Sequence, residues 1–157
     1  MILGFKTEIK GKPTYFPEKI LACVGIDYIN KYVPKKHSIR VGKRWFAGRK
    51  LHLSIGVRTK KYLQFNKNVK GLEVCKSVQD ILIQHRGDHI YVTIDNKTES
   101  IWCNFKSIDN DFYSTEVDCP MIYALAKNDG FDSVNDFFRW FNTDFEGQII
   151  HWTDLRY

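Results

Sequence analysis

Ten basic side chains fall between residues 35 and 61: Lys35, Lys36, Arg40, Lys43, Arg44, Arg49, Lys50, Arg58, Lys60 and Lys61. No acid interrupts them, and Trp45, Phe46 and Tyr62 are interleaved with the run. Cations spaced along a chain suit the phosphates of a polyanion, and flat side chains among them suit bases that stack. The other use of such charges is a solvated face balanced by acids elsewhere, and the chain supplies those acids. Residues 1–79 hold 18 Lys+Arg and 4 Asp+Glu, a net of +14, whereas residues 80–157 hold 6 and 14, a net of −8. An anionic membrane surface fits less well, because the run shows no amphipathic helical period.

Within the run, Lys35 has Lys36 and Arg40 for neighbours, and nearby cations make an amine easier to deprotonate. A neutral Lys35 could take a proton from Ser38 or from an attacking water. A Lys and a Ser three apart in a basic segment serve equally well as two phosphate contacts. His37 adjoins Ser38, but neighbours on an extended segment face opposite ways, which argues against a Ser–His pair. His85 and His89 are four apart, yet Gly87 interrupts any helix and no third ligand is near in sequence. No metal or other cofactor is therefore expected. Arg86-Gly87-Asp88 reads as a turn. Asp129 sits in Asn128-Asp129-Gly130, a good turn string that stops a helix. A helix C-terminus disfavours a carboxylate by up to ~1 kcal/mol, so a cationic partner there would help.

Positioning these groups falls to a chain of 157 residues, enough for one domain with a sizeable core. Hydrophobic residues make up 43% and aromatics 15%, which excludes a disordered chain. No apolar run approaches the ~18 residues that span a membrane. Lys6 arrives before any signal-peptide stretch develops, and Cys23, Cys75, Cys103 and Cys119 form no Cys-x-x-Cys pair. Reduced thiols and a cytoplasmic location are the expectation. Met1–Ile9 reads as a strand. Pro17 suits the first turn of a helix whose apolar positions Ile20, Val24, Tyr28 and Tyr32 recur until Pro34. Leu51, Leu53 and Ile55 alternate as a strand. Ile90–Ile94 and Ile101–Phe105 alternate around Asp95–Glu99 as a hairpin. Val78–Gln84 is open between strand and helix. Pro120 starts a short helix, Ser133 and Asp136 form a capping box for a second with an apolar stripe at Val134, Phe137, Phe138 and Phe141, and Ile149–Trp152 closes as a strand. Core positions are expected for Trp102 and Trp152, and exposure or a pocket for Trp140.

Lys35-Lys36-His37-Ser38-Ile39-Arg40 resembles the signature of ASCH domains in the PUA-like superfamily, a Gly-x-Lys-x-x-Thr-x-Arg type motif. Arg44-Trp45-Phe46-Ala47-Gly48-Arg49-Lys50-Leu51 is similar to the family's turn into its next strand. Leu125 to Ser133 resembles its Ala-x-x-Glu-Gly-Phe-x-Ser segment. The family glycine before the lysine is missing near Pro34, Ser38 stands for Thr, and Asp129 for Glu. The resemblance implies a single α+β domain over 1–157, a small mixed PUA-like β-barrel with flanking helices. It also implies a pocket at Lys35, Ser38, Arg40 and Asp129. Some small ASCH proteins are amidohydrolases of acetylcytidine nucleosides, and their catalytic lysine, threonine and glutamate map onto Lys35, Ser38 and Asp129.

Three functions follow as expectations. The first is binding of RNA or a modified nucleoside, with Lys36, Arg40, Lys43, Arg44, Lys50 and Arg58 on phosphates and Trp45 stacking a base. The second is deacylation of acetylcytidine, with Lys35 as base, Asp129 orienting it or protonating the amine, and Arg40 on the oxyanion. The third is ribonuclease activity with lysine as base.

Overall fold

The computed structural model describes residues 1–9, 11–26, 31–104 and 114–157. Its strands are β1 (Ile2–Phe5), β2 (Glu8–Ile9), β3 (Lys12–Pro13), β4 (His37–Val41), β5 (His52–Ile55), β6 (Leu63–Gln64), β7 (Ser77–Arg86), β8 (His89–Ile94), β9 (Lys97–Trp102) and β10 (Phe145–His151). The helices are α1 (Phe16–Ala22), α2 (Pro120–Asn128) and α3 (Val134–Trp140). The chain is thus a mixed α+β fold.

The described strands do not close into one barrel. They form a five-stranded sheet in the order β4-β10-β7-β8-β9, a three-stranded sheet β1-β5-β6 and the β2-β3 pair. Among the described residues no backbone ladder joins the two larger sheets; β1 pairs with β5, and a side chain links β1 to β4, the Arg40 guanidinium donating to the Gly4 carbonyl at 2.8 Å.

β10 is buried along Gly147–His151 because it serves two cores. Ile149 faces the first, where Ile81, Ile83, Val92 and Ile94 of the sheet meet Leu125 of α2 and Phe137 of α3. Ile150 faces the second, with Leu3, Phe5, Leu53, Trp45 and Trp152. A fully buried side chain such as Phe137 stabilises by about 1.5–3 kcal/mol as an upper figure. Pairing of Ser38 with Ile150 and of His37 with His151 then sends neighbouring β4 side chains to opposite cores.

Both late helices form where proline and serine start them. Pro120 lies in the first turn of α2, and the Ser133 hydroxyl accepts the Asp136 N–H at 3.0 Å to cap α3. α1 stops at Ala22, ten residues short of the apolar period. The N–H groups of Cys23 and Val24 bond three residues back, and Gly25 adopts φ 76°, a left-handed turn that glycine tolerates. Tyr28 and Phe105 lie outside the described residues. The hairpin turn is also tighter than expected, only Asp95-Asn96, so Lys97, Thr98 and Glu99 extend β9. β7 resolves the open segment as ten residues of strand. Trp102 is 38% exposed at the outer end of β9, whereas Trp152 is buried.

Gly130 ends α2 at φ +87°, and a Cβ there would lie 3.0 Å from Lys35 Cδ and 3.2 Å from the Phe16 ring. Gly130→Ala is therefore expected to lower stability by about 1–3 kcal/mol through left-handed strain and the displaced lysine stem. A urea midpoint unchanged from the parent would contradict this.

Candidate functional site

Lys35 is fastened before its side chain does anything. Its N–H donates to Lys19 O at 2.9 Å, and its carbonyl accepts Cys23 Sγ at 2.9 Å and Trp152 Nε1 at 3.2 Å. The stem then runs inward, 2% exposed, and Nζ meets Asp129 Oδ1 at 2.5 Å. Nζ also donates to the Asp129 carbonyl and lies 4.8 Å from the centre of the Phe16 ring. Burial lowers the Lys35 amine to about 8; Arg40 and Lys19 push it the same way, and Asp129 opposes them. The depressed lysine read from its charged neighbours thus has burial as its main cause.

Asp129 occupies the residue after α2, with its N–H on Leu125 O at 2.9 Å. Burial works to raise its carboxyl, but Lys35 and His37 outweigh burial and hold it below the usual carboxylate range. The shorter side chain, compared with glutamate, reaches the lysine without a gap. The cation expected at this helix end is Lys35.

Ser38 is buried on the Ile150 face of β4, and among the described residues it forms no hydrogen bond with Lys35 or Asp129. Arg40 shares that face, packs over the Phe5 ring at 5.3 Å, and feels the Asp129 charge. Its guanidinium is lowered by burial. Lys36 is half-buried and gives its N–H to Asn128 O, tying β4 to the end of α2.

The remaining basic residues spread away from this centre. Lys43 pairs with Glu146 at 3.0 Å and with Asp80 at 3.8 Å, so acids from the second half of the chain answer that charge. Arg44, Lys50 and Arg58 are exposed. Trp45 is not an available stacking surface: it is 3% exposed, because its ring fills the second core beside Leu51 and Trp152. The exposed aromatic there is Phe46, 58% exposed, with the Arg49 guanidinium 5.0 Å from its ring centre. His85 and His89 lie on the two arms of the β7–β8 hairpin, and His85 Nε2 contacts Phe141 O at 3.0 Å.

His37 was passed over for being opposite Ser38, and the opposite face proves to hold Asp129. Its ring is fully buried, with Nε2 2.7 Å from Tyr157 Oη and Nδ1 3.6 Å from Asp129 Oδ1. The same alternation that separated it from Ser38 was the available signal.

A cavity of about 450 Å³ opens beside the pair. Phe16, Phe131 and Trp140 give it aromatic walls, and Lys19 and Gly130 line it as well. Lys19 donates to Gly130 O and Asp132 Oδ1, each at 2.8 Å, which pins the Gly130 turn. Phe16 and Gly130 lie against Lys35, so the Lys35–Asp129 pair stands one layer behind the cavity wall. Trp140 is 41% exposed, with Lys6 Nζ 4.9 Å from its ring centre. Among the described residues no helix is long and apolar enough to cross a membrane.

Comparison with known proteins found no match among family models, curated proteins or solved structures.

Proposed function

We propose that this chain is a PUA-like domain of the ASCH kind that binds a modified nucleoside, free or carried in RNA. The observation behind the reading is the aromatic-walled cavity of about 450 Å³ beside the buried Lys35–Asp129 pair. Sites for small organic ligands run from ~300 to ~1,000 Å³, mostly apolar with a few fixed polar groups. A nucleobase is a flat ring with polar edges, which suits Phe16, Phe131 and Trp140. For a base carried in RNA, exposed Arg44, Lys50 and Arg58 offer phosphate contacts and Phe46 a stacking face.

Calorimetric titration with cytidine and acetylcytidine tests this. Binding is expected, and Trp140→Ala should weaken it about tenfold, as loss of one base–aromatic stack does. No heat and no spectral change with either nucleoside at millimolar concentration would overturn the reading.

A second reading, amidohydrolysis of acetylcytidine, is favoured by the lysine lowered to about 8. A neutral Lys35 takes the proton of an attacking water, Arg40 stabilises the oxyanion, and the departing amine receives a proton held at the Lys35–Asp129 pair; Ser38, on the other face of β4, is left out of the step. Phe16 stands between cavity and lysine, so turnover requires that ring to move. Released cytidine, measured by chromatography for the parent and for Lys35→Ala, separates binding from catalysis.

A further inference from the structure

Beside the Lys35–Asp129 pair lies a second set of polar side chains that neither binding nor deacylation has used: buried His37 with half-buried Tyr157 and Asn128. Asn128 Nδ2 donates to Tyr157 Oη at 3.2 Å, and Oη lies 2.7 Å from His37 Nε2. The phenol hydrogen has two acceptors within reach, His37 Nε2 at 2.7 Å and the Ala124 carbonyl at 3.4 Å. The nearer one wins if Nε2 carries no proton. The other ring nitrogen bears on that choice: buried Nδ1 has no hydrogen-bond partner among the described residues and lies 3.6 Å from Asp129 Oδ1, where the carboxylate charge repels a lone pair and attracts an N–H. The neutral ring therefore carries its proton on Nδ1 and accepts from Tyr157 at Nε2.

We propose that His37, oriented by Tyr157, is a positioning residue for Asp129, keeping the carboxylate charged and aimed while Lys35 gives up and regains its proton. The proposal rests on the deacylation reading, in which Lys35 behind the cavity wall gives up and regains its proton. When the lysine is neutral, Asp129 is a buried anion that has lost its cation. The Nδ1–H dipole is what then keeps the proton from moving onto the carboxylate. No bond to carbon changes and no proton passes through the imidazole. The charged and titratable groups around the pair and His37 are Lys19 and Cys23 at α1, Lys36 and Arg40 at β4, His151 of β10, whose ring centre is 5.3 Å from that of His37, and Tyr157. Burial lowers His37 below its usual value, in keeping with a neutral ring.

Nuclear magnetic resonance of the whole chain tests this without a substrate. Nitrogen-15 correlation spectra should show His37 protonated on Nδ1, and Tyr157→Phe should move it toward a mixture of tautomers. Carbon-13 signals of Lys35 Cε should titrate upward by about half a pH unit in His37→Phe, a roughly threefold fall in the ratio of neutral to charged lysine at the parent midpoint. His37→Asn, which keeps a donor near the Nδ1 position, should restore the parent midpoint. Tyr157→Phe supplies the comparison if His37→Phe does not fold. An Nε2–H tautomer in the parent, or an unmoved Lys35 midpoint in a folded His37→Phe, would overturn the proposal. If nucleosides fail to bind while tautomer and midpoints behave as stated, the binding reading falls and the positioning role stands.

Discussion

Asp129→Leu alone is expected to destabilise the chain by about 3–5 kcal/mol, because it strands a buried ammonium without its anion. Lys35 and Asp129 are 2% and 4% exposed, and Nζ to Oδ1 is 2.5 Å, so neither charge has water to fall back on. Lys35→Met alone strands the carboxylate, and a loss of similar size follows. Lys35→Met combined with Asp129→Leu removes both charges and keeps the volume nearly constant, so its cost should be small or even negative. Urea unfolding of the four proteins measures the coupling directly. If the double variant loses the sum of the two single losses, the pair is not a coupled buried ion pair. The comparison also bears on function: a site that stores a charge pair at a cost to folding is behaving as sites do when stability yields to chemistry.

Much of this arrangement could be read along the chain. Proline and serine signals located α2 and α3, and period-two alternation located β5, β8 and the end of β9. Those signals are local, carried by residues within one turn or one strand. The need of Asp129 for a cation was also legible, since helix ends act locally, whereas the main cause of the depressed lysine, its burial, was not. The arrangement of the sheets was not, because it depends on which distant strand β1 takes as its ladder partner, and that partner is β5, with the Arg40 side chain linking β1 to β4. The role of Trp45 was misread for a related reason. A tryptophan in a basic run suits a base, but the core it joins is built with Leu3 and Trp152 from distant segments. His37 needed both kinds of information: strand alternation gave its direction, and only the fold put Asp129 there.

Acidification should weaken the fold well before the carboxylates titrate, and His151 is the reason. It sits in β10 opposite His37 and Ser77, 0% exposed, with neither ring nitrogen partnered among the described residues. Burial lowers it to about 3, and the charge of His37 would add to the same effect. The unfolded chain binds the proton near pH 6.5, so a histidine depressed in the fold contributes stability that is full above that pH. As pH falls below 6.5 the unfolded state gains protons that the folded state refuses, and stability drops toward the folded value. Between pH 6.5 and pH 4.5 the loss amounts to about 1.4 kcal/mol per pH unit, about 3 kcal/mol in all for this one ring. Asp129 enters later, since a carboxyl held low in the fold destabilises only as pH falls past about 4. The window above that pH belongs to the buried imidazoles. Urea unfolding at pH 7.5 and pH 4.5 should show the drop in the parent, and His151→Phe, which keeps a ring against His37 and Tyr157, should remove the share of this ring and leave that of buried His37. An equal drop in that variant would mean that the acid-sensitive charge lies elsewhere.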